Sequence, residues 1–284
     1  MENYVQTLLE AGIVRKSTSP FCSPLLLVKK ANSTPDQPLV QQFRVVHDYR
    51  SLNSNTVRDS YPLHNLYDLI DKVAASKVWS VIDLSSGFWN QALAEESMPY
   101  TAFAVPGKGH YEYTRSAQGL CNSPAAFQRL LDFVVRDIPN VYVYIDDLVV
   151  ASPNHEEHIH TLKQVMERFR KYNLKCRPHK LQIATAEINY LGYNLSHSHG
   201  IRPGEIKTKA VANWKAPTSV KEIRQFLGLC SFFRRTIPHF ASIASPMTKL
   251  TRKDSAWIGG PLPEDARKAF LCLKQHVGRR QMAS

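Results

Sequence analysis

The sequence predicts an α+β fold, and three observations carry that prediction. β-Branched and aromatic runs alternate with amphipathic helical periods over the first two thirds of the chain. Two of those runs, Val78 to Asp83 and Val141 to Val150, bring carboxylates to strand ends. Beyond residue 204 the pattern turns mainly helical. Together they describe an antiparallel sheet packed on helices, followed by a helical region.

Each element has its own reason. Residues 3–12 read as a short helix stopped by Gly12. Ser23 to Lys30 reads as a strand, Ala31 to Pro38 as a polar, Pro-containing loop, and Phe43 to Asp48 as the returning strand of a hairpin. Tyr67 to Ala75 reads as a helix, with Leu66, Leu69, Ile70 and Val73 on its apolar face. After Asp83, the small residues Ser85, Ser86 and Gly87 let the chain turn closely. Pro124 to Val135 is a second helix, with Ser123 as N-cap and Pro124 at its first position. His155 to Tyr172 is a third, placing Ile159, Leu162, Val165, Met166 and Phe169 on one face. From Ser219 a further helix starts on a capping-box spacing, Ser219 or Thr218 as cap and Glu222 three residues on from Ser219. Gly228 inside that helix costs about 1 kcal/mol relative to Ala. Its presence fits close approach of either a nucleic-acid backbone or a neighbouring helix.

Composition narrows the class. A hydrophobic share of 43% supports real cores and excludes a disordered chain. At 284 residues, two or three packed subdomains are expected. No run reaches the ~18 apolar residues of a membrane span, and Met1-Glu2-Asn3-Tyr4 lacks a charged-then-apolar signal, so no membrane partner is expected. The 5 cysteines are scattered without a C-x-x-C pair, which fits reduced thiols inside a cell and disfavours zinc. The His pairs near 155–160 and 197–199 lie in polar surroundings and suggest no metal role. Charge is unevenly placed: residues 1–196 balance at +1, whereas residues 197–284 carry 16 Lys+Arg against 5 Asp+Glu. A basic block with regular apolar periodicity points to a polyanion partner.

The chemistry concentrates in Val141-Tyr142-Val143-Tyr144-Ile145-Asp146-Asp147-Leu148-Val149-Val150. Adjacent acids at the tip of an apolar hairpin repel each other and are costly near a hydrophobic sheet. A hard divalent cation such as Mg²⁺ removes that cost by taking carboxylate oxygens. Taken alone, the ten residues fit a solvated Asp-Asp turn equally well. Asp83 and Asp146 brought to one place would make a two-metal site, which clamps the attacking and leaving oxygens of an in-line phosphoryl displacement. No G-x-S-x-G motif or evident Cys/His nucleophile competes with that reading.

Six segments in order resemble one family. Tyr144-Ile145-Asp146-Asp147 looks like the Y-x-D-D box of reverse transcriptases, and Val81 to Gly87 like their first catalytic Asp motif. Gln118 to Gln128 resembles the nucleotide-pocket motif, and Phe43 to Asn53 the fingers signature. Tyr190-Leu191-Gly192-Tyr193 resembles the primer-grip turn, and Ser219 to Leu229 the thumb helix that follows it. The match runs over about residues 1–275 and is closest to the gypsy-type polymerases of long-terminal-repeat retrotransposons.

The resemblance implies a right-hand architecture. Fingers with the start of the palm would take residues 1–75, and palm with an interleaved fingers segment and the primer grip 76–196. A mainly helical thumb would span 197–255, and 256–284 would begin a connection to a missing RNase H region. It implies RNA-directed DNA polymerase activity on an RNA or DNA template-primer with dNTPs, and Mg²⁺ or Mn²⁺ as cofactor. Asp83 and Asp146 would bind both metals, with Asp147 as weaker or outer ligand. Lys30 and Arg44 would hold the triphosphate, Arg through its planar fork. Phe88 would lie under the sugar and exclude a 2′-hydroxyl, and Gln118 would sit over base and sugar. Leu191, Gly192 and Tyr193 would form the primer grip, and Arg224, Gln225 and Gly228 would meet the duplex. Gln118 is the retroviral-like choice where many gypsy-type elements carry an aromatic, and the loop Asn32 to Gln41 is longer than their brief turn. The ending Arg279 to Ser284 suggests a fragment of a Pol polyprotein or a degraded copy. A retrotransposon particle in the cytoplasm, or the nucleus, is the expected location. Two alternatives stand beside this reading: a catalytically idle, retroelement-derived nucleic-acid-binding protein, and another two-metal enzyme such as a nuclease.

Overall fold

The structure is a computed structural model describing residues 2–278, apart from 31, 32, 35, 39–41, 85 and 86. Much of the expected loop from Asn32 to Gln41, the Ser85-Ser86 pair and the ending Arg279 to Ser284 therefore lie outside the described residues. The chain forms two compact units, Met1–Thr185 and Ala186–Ser284. Their division falls within the stretch expected to close the palm.

The first unit holds two cores. Helix α1 (Glu2–Glu10) ends before Gly12, whose φ of 65° turns the chain into strand β1 (Val14–Lys16). Strands β2 (Leu25–Lys29) and β3 (Phe43–His47) form the expected hairpin. Past the short helix α2 (Arg50–Ser54), a sheet of β1, β6 (Gly109–Tyr113) and β5 (Phe103–Val105) closes over Val5, Leu8, Tyr49, Phe103, Tyr111 and Tyr113.

The second core carries the acids. Helix α3 (Leu66–Ala74) is capped by the Asn65 side chain, which accepts from Tyr67 N. Strand β4 (Val78–Asp83) pairs antiparallel with β8 (Asp147–Ser152) on one side and β9 (Gln182–Thr185) on the other. Strand β7 (Val141–Tyr144) completes a four-stranded sheet in the order β7-β8-β4-β9. Alternation along β4 and β8 sends Ile82, Leu148 and Val150 to one face. There they meet Phe127, Leu131 and Val134 of α4 (Ser123–Val135) and Val165 and Phe169 of α5 (His155–Lys171). Asp83 and Asp147 belong to the opposite parity, away from this apolar layer.

Tertiary contacts override two local expectations. Asn122, not Ser123, precedes α4. Ser123 is buried, its hydroxyl engaged with Ala117 O (3.0 Å) and Ser116 Oγ (2.6 Å), while the Asn122 side chain accepts from Asp59 N and donates to Val57 O. On α5, Ile159 is 54% exposed, and the buried face is His158, Thr161, Val165 and Phe169. Ser80 Oγ (2.7 Å) and Ser152 Oγ (3.1 Å) draw the His158 ring inward, so the helix turns its polar residue to the sheet.

In the second unit, β10 (Glu187–Tyr190), β11 (Tyr193–Ser196) and β12 (Gly200–Pro203) form an antiparallel meander. Helices α6 (Glu205–Ala212), α7 (Val220–Ser231), α8 (Phe240–Lys249) and α9 (Glu264–Gly278) follow. The capping box at α7 is present: Ser219 Oγ accepts from Glu222 N (3.3 Å), and the Glu222 carboxylate accepts from Thr218 N (2.7 Å). Ile223, Phe226 and Cys230 of α7 share one core with Met247 of α8 and Phe270 and Leu273 of α9. Residues 264–277, expected to begin a separate connection, contribute directly to that core.

Candidate active site

Register places the acids. Asp83 and Asp147 are direct cross-strand partners where β4 meets β8. Tyr144 pairs with Asp147, so only Ile145 and Asp146 form the turn between β7 and β8. Ile145 has φ 56°, the left-handed region that a β-branched residue rarely occupies. The Asp146 carboxylate is thereby presented at the tip, exposed, beside the Asp83–Asp147 pair. Protein crowds the Asp147 carboxyl even though solvent reaches the residue. That desolvation, reinforced by the charges of Asp146 and Asp83, pushes it up to about 6.

The strained turn is held from behind. Gln128 of α4, fully buried, accepts from Ile145 N at 2.6 Å through Oε1. Its Nε2 donates to Asp132 Oδ1 (2.8 Å) and Val143 O (3.3 Å). Pattern reading passes over this residue, because a Gln in a helical period looks like a surface position. The available signal is its place one turn after Pro124, on the face that also carries Leu131.

Among the described residues, no three His, Cys, Asp or Glu side chains already converge as a metal cage. Two cations stand against Asp83. Lys180 Nζ sits 3.0 Å from its Oδ2 and Arg177 Nη1 3.6 Å from its Oδ1. These two cations neutralise the carboxylate that the sequence assigns to both metals. The donor set still suits a hard divalent cation: three carboxylates, one of them kept from ionising readily by desolvation and by the negative charges of Asp146 and Asp83. Releasing Asp83 from Lys180 and Arg177 is what such an ion would require. The basic run Lys175 to Lys180 offers a sequence signal only in hindsight.

The remaining predicted residues are placed as follows. Val28 pairs with Arg44 and Lys29 with Phe43, so Lys30, just past the strand end, shares the Arg44 face of the hairpin; both are exposed. Phe88 sits in a short 3₁₀ turn, half-buried, with its ring edge-on to Phe127 at 5.7 Å. Gly87 beside it has no room for a side chain, because a Cβ would lie 2.8 Å from the Phe127 ring. Gln118 is exposed at a turn with Gly119 (φ 99°). Asn53 staples that turn, donating to Gly119 O (2.8 Å) and accepting from Cys121 N (2.8 Å). The staple lines a cleft of about 870 Å³ together with Asp48, Gln91 and Tyr100.

In the C-terminal unit, Leu191 (φ 50°) and Gly192 (φ 79°) make the two-residue turn between Tyr190 and Tyr193. Tyr193 stacks on Phe232 at 4.3 Å and donates to its carbonyl, while Lys207 Nζ lies 3.1 Å from the Phe232 ring centroid. On α7, Arg224, Gln225 and Gly228 are exposed. Arg224 donates to Thr251 O at 2.9 Å. Among the described residues, a Cβ on Gly228 would meet nothing within 4 Å, so no described helix packs against this glycine.

Carboxylates from a central strand and an adjacent hairpin, set on an antiparallel sheet backed by two helices, define a palm-type site of nucleotide-polymerising proteins. The model of the family described as reverse transcriptase (RNA-dependent DNA polymerase) matches residues 28–195, and the chain belongs to that family. It is 39% identical over 255 residues to the retrovirus-related Pol polyprotein from transposon 297 of Drosophila melanogaster, covering 89% of this chain and 24% of that one. To the Pol polyprotein from transposon gypsy of the same fly it is 34% identical over 261 residues, 91% of this chain and 25% of that one. The chain thus spans about a quarter of the length of these curated relatives. Among solved structures, a foamy viral protease-reverse transcriptase in complex with double-stranded DNA matches with TM-score 0.86 and 25% identity, covering 98% of this chain and 47% of that one.

Proposed function

We propose that this chain is the polymerase portion of a gypsy-type Pol polyprotein, adding dNTPs to a primer 3′-hydroxyl on an RNA or DNA template. The observation that carries the reading is the cross-strand pairing of Asp83 with Asp147 beside the turn-borne Asp146. These three carboxylates would hold Mg²⁺ or Mn²⁺. The ions, when bound, supply a lowered pKa for the primer hydroxyl and charge stabilisation for the pyrophosphate that leaves.

Every other task falls to the chain itself. Lys30 and Arg44, on one face of the fingers hairpin, bind the triphosphate. Phe88 is braced by Phe127, and a braced ring can exclude a 2′-hydroxyl by shape. Gln118, on the turn stapled by Asn53, faces base and sugar. The turn Leu191-Gly192 with Tyr193 grips the primer, and Arg224, Gln225 and Gly228 meet the duplex along an α7 face that is open beside Gly228. The acidic site belongs to a chain whose surplus charge lies in its last third, which supports phosphate binding there.

The test is incorporation of radiolabelled dNTP on an oligo-primed RNA template with Mg²⁺. Wild-type chain is expected to extend the primer. Asp146→Asn and Asp83→Asn should each lose orders of magnitude in rate while template affinity stays within about tenfold, since only the reacting centre uses those charges. An Asp146→Asn variant retaining a tenth of the activity would overturn the two-metal assignment. Failure of the wild type to extend while still binding template would favour the idle nucleic-acid-binding reading.

A further inference from the structure

We propose that Asp132 and Tyr61 are positioning residues of the catalytic turn, acting through Gln128; this rests on the polymerase reading above. The need arises at Ile145. Its N–H belongs to the first turn residue, outside the β7–β8 ladder, and the residue is half-buried. A buried donor left without an acceptor costs about 1–3 kcal/mol, and the positive φ of a β-branched residue adds strain to the same peptide. The Oε1 atom of Gln128 is the acceptor that answers it.

A glutamine amide can face either way, and one orientation alone serves here. With Oε1 toward Ile145, Nε2 faces Asp132 Oδ1 and Val143 O, both of them acceptors. Flipped, the amide would set NH₂ against the Ile145 N–H and oxygen against a carboxylate. Asp132 is an acceptor on both oxygens, so it removes that ambiguity as an asparagine could not. Tyr61 in turn fixes Asp132, its hydroxyl donating to Oδ2 at 2.7 Å. Tyr61 lies under the Arg129 guanidinium (4.7 Å to the ring centroid), and Arg129 grips Asp59 at 2.8 and 2.9 Å. The segment joining the β2–β3 region to the palm sheet is thereby tied, through one face of α4, to the peptide that presents Asp146.

The relay makes a charge-pattern prediction. Asp132→Asn, isosteric but no longer acceptor-only, should lower kcat for primer extension by about 10–100-fold, the range for groups that orient metal-binding residues indirectly. KM for the template-primer and the melting temperature should hold near wild type. Amide hydrogen exchange of the peptide spanning 141–148 should speed up in the same variant, a readout independent of activity. The double variant Gln128→Glu with Asp132→Asn restores the pairing between positions 128 and 132, since Glu accepts from Ile145 N and from the new amide, while Val143 O loses its donor. It should recover part of the lost rate and protection. Tyr61→Phe, which removes one hydroxyl at a half-buried site, covers the case in which Asp132→Asn fails to fold, and should give a smaller fall in kcat with faster exchange. The proposal is overturned if folded Asp132→Asn keeps wild-type kcat and exchange, if the double variant is no better than the worse single one, or if Tyr61→Phe changes neither readout. Wild-type chain that fails to extend primers would instead strike the polymerase reading, and the exchange measurements would still decide the relay.

Discussion

Single side chains do different kinds of work at this site. Phe88 is half-buried against the apolar core beneath the acids, its ring braced edge-on by Phe127. Phe88→Ala or Phe88→Val should admit ribonucleotides at some cost in dNTP efficiency, read as the ratio of kcat/KM for dNTP to that for rNTP. An unchanged ratio would return Phe88 to a packing role. Lys180 is the nearest cation to Asp83. Removing it should let a divalent ion reach that carboxylate more easily, so Lys180→Ala is expected to bind Mn²⁺ more tightly in the absence of substrate, measured by electron paramagnetic resonance. Equal or weaker binding would mean that the ammonium is not a competitor. The three aspartates were legible only through the order of the surrounding motifs, because the ten residues around Asp146 alone fit a solvated turn equally well. Lys180 was not, since 97 residues separate it from Asp83 and no local pattern encodes that meeting. Gln128 escaped for a related reason: its value depends on the φ of a residue 17 positions away.

Elements show where local signals suffice and where they yield. The β2–β3 hairpin, the α7 capping box and the Gly12 stop follow from nearby residues and appear as expected. The inward face of α5 does not, because Ser80 and Ser152 on distant strands recruit His158 in place of Ile159. The small sheet β1-β6-β5 depends on long-range closure, because β1 pairs with the distant β6, whereas β10-β11-β12 is a local meander. Strand β3 carries a pH liability of its own. His47 is buried, stacked on Tyr49 and bonded to Tyr113 OH at 2.8 Å, and burial lowers its pKa to about 4. Between that value and the usual 6.5, the unfolded chain takes up a proton that the folded chain refuses. Stability should therefore fall as pH drops from about 6.5 to about 4, by at most about 3 kcal/mol, and level off below. Thermal melts across that range should be flatter for His47→Gln, which stays neutral and can still bond Tyr113. An identical slope in both proteins would assign the acid sensitivity elsewhere.

At the scale of the whole molecule, two compact units with separate cores imply unfolding that is not all-or-none. Calorimetry should resolve two transitions, and added template-primer duplex should raise the one belonging to the basic C-terminal unit. A single sharp transition with equal calorimetric and van't Hoff enthalpies would show instead that the units unfold together. The motif order made the polymerase architecture legible across the chain, but the position of the division between units was not. Tyr193 stacks on Phe232 within the C-terminal unit, a meeting across 39 residues that no local pattern encodes.

The pairing of β4 also sets a timetable. Asp83 lies on a strand whose partners, β8 and β9, are made 64 or more residues later. At about 5–20 residues per second of synthesis, several seconds pass between the emergence of Asp83 and that of Asp147. Until then β4 is an apolar edge awaiting both neighbours, and such non-local pairing is slow to form and exposed to aggregation. A nascent chain interrupted between residues 152 and 182 would thus carry Asp83, Asp146 and Asp147 yet leave the sheet that aligns them one strand short.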